Sequence, residues 1–342
     1  MKKAPLMTLN FRFMRIPLLL CTFFVMATVC TKLSFSVPTV NLSNNLIETI
    51  LGSGYVLKST GHSGVFSLMK IVRTPLAEKT ADSISSPPET DHMQLPKKSD
   101  KPAQVKISHS TGYDININDY LTGKPAFLEE DISVLIVHTH TTESYTPSEK
   151  YNYTPSDTDR TRDKEFNTVR VGKEIASILE ANGIRVQHDT TINDYPSYNG
   201  SYNRSSMNVQ NAIQNDSSIK IVLDVHRDAI EGANGEKVKY TFTKDGKTGA
   251  CVMFVVGSNL SGLTHEEWKT NMQFAATLQQ HIQSFYPDLM RPINFRSQRF
   301  NQHLAPGAVI VEVGTNGNTL EEALFGAECF ANALADYLKK AG

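Results

Sequence analysis

Two hydrophobic periods alternate along the chain from about residue 104 to the end. Near-continuous apolar runs mark strands at VLIV (134–137), GIRVQH (183–188), KIVLDV (220–225), ACVMFVVG (250–257) and AVIVEV (308–313). Between them lie segments with the 3.6-residue period of amphipathic helices. Residues 167–182 place Val171, Ile175, Ile178 and Leu179 on one helical face, and Gly183 supplies the stop. A short helix capped by Ser205 is expected to end near Gln214. Thr264 to Glu267 and Thr319 to Glu322 both read as capping boxes. The first opens a helix whose face carries Trp268, Met272, Ala275, Leu278, Ile282 and Phe285, with Pro287 beyond its end. The second opens a final helix with Leu320, Leu324, Ala327, Ala331, Leu334 and Leu338 on one side. Apolar strands alternating with amphipathic helices predict an α/β domain over 104–342. Its sheet is expected to be mainly parallel and flanked by helices on both faces.

Upstream the pattern changes twice. Lys2, Lys3, Arg12 and Arg15 precede the first acidic residue, Glu48, and IPLLLCTFFVMATVC follows Arg15 without a charge. Basic residues 1–15 and an apolar stretch at 16–36 fit a signal sequence or an uncleaved membrane anchor, the latter preferred because no small-x-small cleavage site stands out. Positive charge on its N-terminal side directs the rest of the chain out of the cytoplasm. Residues 37–103 are expected to form an extracytoplasmic tether. LIETIL and VFSLMKIV within it have the apolar content of small helices, whereas 76–102 are rich in Ser, Pro and charge and too poor in apolar surface to fold.

Removing the four N-terminal cations leaves 30 basic against 35 acidic residues, which excludes the basic stripe of a nucleic-acid partner. Of four cysteines, only Cys251 and Cys329 lie outside the apolar N-terminal segment. They are expected to be isolated small hydrophobes, and the absence of a Cys-x-x-Cys pair excludes a thiolate zinc site.

The chemistry concentrates where strands run out. VLIV ends in His138-Thr139-His140 with Glu143 three positions on, and KIVLDV ends in His226. Ligands of open α/β sheets gather beyond the carboxyl ends of the strands, so His140, Glu143 and His226 are candidate metal ligands. Two imidazoles and a carboxylate form the ligand set of a catalytic zinc site that keeps one position for water. Taken singly, a histidine at a strand end is more often a hydrogen-bonded surface residue than a ligand, and Glu143 also fits the acidic start of a loop. Glu312 is harder to explain without chemistry, because it interrupts a strand apolar on both faces, where an unpaired carboxylate is costly. It is the candidate catalytic acid–base. Asp224 shares a strand face with His226 and is a candidate partner for it, as is His138, the neighbour of the first ligand. The loops at 151–163 and 193–206 are dense in Tyr, Ser and Asn, suited to a polar polymer or simply to packed turns.

Several of these motifs occur together, in order. HTHTTESY (138–145), NTVRVGKEI with NGIRVQHD, DYPSYNGSYNRS, LDVHRDA (223–229), FVVG (254–257), RFNQHL (299–304) and VEVGTNGNTLEEA (311–323) resemble the stage II sporulation protein P family of membrane-anchored cell-wall hydrolases. The resemblance implies a fold similar to zinc-dependent N-acetylmuramoyl-L-alanine amidases. It also implies cleavage of the amide between glycan and stem peptide, with peptide cross-links as a second substrate. The implied setting is septal wall thinning and forespore engulfment, with peptidoglycan as substrate and the stage II sporulation proteins D and M as partners. On this pattern His140, Glu143 and His226 hold Zn2+ and Glu312 is catalytic. Glu165 is the alternative ligand, because the wider amidase group carries its glutamate just before the first helix. A cross-link endopeptidase and a non-catalytic wall-binding scaffold remain alternatives.

Overall fold

The structure is a computed structural model that describes residues 55–59, 66–70 and 95–339, apart from 130 and 157. The N-terminal basic segment, the expected anchor at 16–36 and most of the expected tether lie outside the described residues. Among the described residues no helix is long and apolar enough to cross a membrane. The chain divides into two compact units, Met1–Pro87 and Pro88–Gly342. In the first, β1 (Tyr55–Ser59) pairs antiparallel with β2 (Phe66–Lys70). The VFSLMKIV patch expected to be helical therefore contributes a strand instead.

The second unit contains β3 (Ile107–His109), β4 (Ser133–Val137), α1 (Thr168–Ala181), β5 (Val186–His188) and α2 (Ser201–Asn215). They are followed by β6 (Ile219–Asp228), β7 (Thr241–Lys244), β8 (Lys247–Ala250), β9 (Val252–Val256) and α3 (Trp268–Gln283). β10 (Ile293–Phe295), β11 (Gly307–Thr315) and α4 (Leu320–Lys339) complete it. The packed unit starts earlier than residue 104: Leu95 lies against the core and the Ser99 N–H donates to the Ser284 carbonyl at 2.7 Å.

Seven strands form one sheet in the order β3-β10-β9-β11-β6-β4-β5. β5, β4, β6 and β11 are parallel, as are β9, β10 and β3, but β9 runs antiparallel to β11. The sheet is thus mixed. The reason lies in the β6–β9 connection, which contains the β7–β8 hairpin rather than a crossover helix, so nothing obliges β9 to return in the same direction.

Both faces are covered, as the apolar strands require. Val134, Ile136, Ile221, Leu223, Val225, Val309 and Val311 join the core formed with α1, α3 and α4. The alternate positions Leu135, Val137, Val222 and Ala308 pack with Val209 and Ala212 of α2. Cys251 and Cys329 are free thiols buried in this domain.

Local signals explain the helix ends. Asn167 caps α1 by accepting from the Val169 N–H, and Gly183, at φ 80°, closes it in a Schellman turn. Thr319 and Glu322 make the reciprocal capping-box bonds at 3.3 and 3.1 Å. The box at Thr264 does not form: α3 begins only at Trp268 and Glu267 makes no side-chain cap bond. The Thr264 carbonyl is taken by Arg299 at 3.0 Å instead. Ser205 is not a cap either. α2 starts at Ser201 behind Gly200, and Ser205 lies within it, its hydroxyl 2.7 Å from that of Thr139.

Gly172 sits in α1 where the helix crosses the buried imidazole of His138 and the half-buried one of His188. A Cβ there would come within 2.6 Å of His138 Nε2 and 2.8 Å of His188 Nε2. Gly172→Ala, ordinarily a gain of about 1 kcal/mol inside a helix, is therefore expected to destabilise the domain by about 1–3 kcal/mol through overpacking. Urea unfolding checks this, and an unchanged or raised midpoint would contradict the packing described.

Candidate functional site

Strand alternation and register build the site on the sheet face that α2 covers. β6 carries Asp224 and His226 two residues apart, so both project to that face. β11 lies beside it in parallel register, with Glu312 opposite His226 and Ile310 opposite Asp224. Beyond β4 the chain turns at residues 139–142 and brings His140 and Glu143 over the end of β6. The His140 and His226 rings stand perpendicular with centroids 5.2 Å apart. Glu143 Oε2 is 3.3 Å from His226 Nδ1, and Asp224 Oδ1 is 2.9 Å from His226 Nε2. Four of the residues singled out in the sequence (His140, Glu143, Asp224 and His226) thus meet in one place, and Glu312 flanks them.

The two others do not join them. His138 continues the alternation of Ile136 toward α1, on the opposite sheet face. Its Nδ1 is 2.9 Å from the Val225 carbonyl and its Nε2 is 2.9 Å from His188 Nε2. It braces the strand that carries His226 and faces none of the other candidates. Glu165 is at the surface, its side chain 64% exposed and 3.9 Å from Lys173, whereas the Glu143 side chain is 8% exposed.

The acids differ in their electrostatics. Burial alone would raise the Glu143 carboxyl, but the hydrogen bond and charge of His226, aided by Arg227 and His140, outweigh it and leave it at about 2. Burial pushes Glu312 up to about 8, with His226 opposing and Glu143 and Asp228 reinforcing. Burial disfavours a charged His226 as well. The two flanking acids, Asp224 first, overcome this and raise its pKa well above the ordinary value. Burial, then the charge of His226, lowers His140 to about 4.

Residues not singled out in the sequence hold this arrangement. Asp224 accepts from the Thr139 N–H at 2.8 Å and the Thr139 hydroxyl at 2.6 Å. Arg227 donates to the carbonyls of Ser144 and Asp159 at 2.8 and 2.9 Å, pinning the turn that bears Glu143. Arg160 lies 3.7 Å from Glu143 and 2.6 Å from the fully buried carboxylate of Asp194. Tyr198 stacks on the His140 ring at 4.4 Å, its hydroxyl 3.1 Å from His140 Nε2, and Ser201 Oγ is 3.3 Å from Nδ1. The tyrosine- and serine-rich loop at 193–206 was the available signal for Tyr198 and Ser201. Arg160 and Asp194 meet only through the fold.

Among the described residues no three His, Cys, Asp or Glu side chains stand ready around a common metal position. The donor set nevertheless fits a zinc ion. Glu312 Oε2 is a buried polar atom without a hydrogen-bond partner, and Glu143 faces His226 Nδ1 while Asp224 occupies the opposite ring nitrogen. Two imidazoles with one carboxylate are the nitrogen and oxygen ligands this metal accepts.

Residues 52–335 match the sequence model of the family described as Stage II sporulation protein P (SpoIIP). The stage II sporulation protein P of Bacillus subtilis strain 168 is 31% identical over 216 residues, covering 59% of this chain and 49% of that protein. The chain therefore spans about half the length of the relative it matches. Similar solved structures include an N-acetylmuramoyl-L-alanine amidase from Clostridium difficile 630, 16% identical at a TM-score of 0.37, covering 62% of this chain and 100% of the other. The CwlD amidase of Clostridioides difficile, solved with the GerS lipoprotein, is 11% identical at 0.34, covering 61% and 98%. At such scores these likenesses carry no argument. The family match, which takes in every strand of the sheet and the whole of the site, does: this chain belongs to the stage II sporulation protein P family.

Proposed function

We propose that the domain hydrolyses peptidoglycan, cutting the N-acetylmuramoyl-L-alanine amide with a zinc ion held by His140, Glu143 and His226. The observation that carries this reading is Glu312, whose Oε2 is buried and unpartnered on the strand next to His226. A carboxylate left in that state is costly to the fold, and an acid beside the zinc ligands is suited to moving the proton that amide hydrolysis requires. Family membership supports the choice of substrate.

Bound zinc would supply acidity to water, lowering its pKa to roughly 7, and would polarise the scissile carbonyl. Glu312 takes the proton of the attacking water and passes it to the amine nitrogen as the carbon–nitrogen bond breaks. Asp224, fixed by Thr139, holds His226 in place. His226 and Arg227 keep Glu143 ionised, ready to bind a cation. In the cell the chain would be anchored through residues 16–36 with this domain outside the cytoplasm. There it would thin the sporulation septum during engulfment alongside the stage II sporulation proteins D and M.

Zinc-loaded full-length protein is expected to release stem peptides from purified sacculi, leaving free lactyl ends on the glycan, and to stop when a chelator is added. New peptide termini without free lactyl ends would assign the activity to cross-links, and binding without digestion would leave a scaffold. Glu312→Gln is expected to lower turnover at least about 100-fold with zinc content unchanged by elemental analysis. Undiminished turnover would remove its role. His140→Ala and His226→Ala are expected to lose the zinc, and His138→Gln to keep it while unfolding at lower urea. Retention of stoichiometric zinc by both alanine variants would overturn the ligand assignment.

A further inference from the structure

A cleft of about 550 Å3 opens beside the site, with Thr142, Arg160, Arg162, Asp194, Tyr195 and Tyr198 in its walls. It adjoins the proposed reaction centre through two of these residues. Tyr198 stacks on His140, and Arg160 lies 5.0 Å from the Tyr198 ring centroid and 3.7 Å from Glu143.

The charges in the cleft are not balanced. Asp194 is neutralised: Arg160 lies 2.6 Å from Oδ2, and Thr142 donates its hydroxyl to the same oxygen at 2.6 Å. Arg160 is thereby committed to Asp194 and Glu143. Arg162 has no acidic partner among the described residues. Its guanidinium instead lies over the Tyr195 ring, 4.5 Å from the centroid. Stacking on an aromatic face fixes the plane of a guanidinium and leaves its N–H edge free for a bidentate acceptor. The wall therefore presents one oriented cation with no counter-charge, set in a concave surface of tyrosine rings and hydroxyls.

We propose that this cleft is a subsite for a carboxylate of the stem peptide near the scissile amide, with Arg162 binding it and Tyr195 and Tyr198 flanking the peptide. The inference rests on the peptidoglycan reading above and adds to it a recognition element on the peptide side. A carboxylate matches the fork of Arg162 and offsets the uncompensated positive charge, whereas an uncharged glycan supplies neither. The deeply buried Asp194 and its hold on Arg160 keep the wall preformed.

Binding without turnover separates this inference from the reading it rests on. Zinc-loaded full-length protein carrying Glu312→Gln is titrated calorimetrically with N-acetylmuramoyl-L-alanyl-D-glutamate and with the same compound amidated at both glutamate carboxyls. The free acid is expected to bind at least about tenfold more tightly, as for a charge-assisted bidentate contact. Adding Arg162→Gln is expected to abolish that preference while leaving the amidated compound unaffected, and Arg162→Lys to restore it only in part. Equal binding of the two compounds, or a preference that survives Arg162→Gln, would overturn the subsite. If turnover fails on sacculi yet the preference is found and depends on Arg162, the amidase reading falls and the recognition site stands.

Discussion

Parallel register between β6 and β11 sets Glu312 directly beside His226, and the site is organised around that pairing. The pairing puts two ionisable groups on one covered sheet face, where each must be compensated or pay for its desolvation. His226 is compensated by Asp224 and Glu143 on its two sides. Glu143 is further supported by Arg160 and Arg227, but Glu312 has no such partner. Two carboxylates beside the same imidazole thus sit in opposite states, one held at about 2 and the other pushed to about 8. On the proposed reading, such separation would suit one acid to bind a cation and the other to carry a proton.

Alternation is what made this face legible in the sequence, and its interruption is what hid the rest. Asp224 and His226 lie within a strand that continues to Asp228, so the two-residue period places them together. The same reasoning fails for His138 and His140, because β4 ends at Val137 and the turn that follows swings His140 across the sheet. Glu312 stood out because it interrupts a run of apolar residues. Arg160, Asp194 and Arg227 carry no local signal, since their partners lie between 17 and 83 residues away in the chain. Sheet direction was lost for a similar reason: periodicity marks β9 as a strand, but only the hairpin that precedes it decides which way it runs.

The helix ends make the same distinction on a smaller scale. The pattern Thr-x-x-Glu occurs before both α3 and α4, and only the second is used. At Thr319 the box closes the entry to the helix, whereas Thr264 stays outside its helix with its carbonyl bonded to Arg299. A capping motif states a local preference, and tertiary contacts settle it.

The central claim is that His140, Glu143 and His226, gathered from two distant segments, hold one ion next to Glu312. Zinc K-edge absorption on the zinc-loaded protein tests it most directly. The account expects a four-coordinate shell of nitrogen and oxygen near 2.0–2.1 Å, with the multiple-scattering signature of two imidazoles. A shell of oxygens alone, or one containing sulphur, would contradict it.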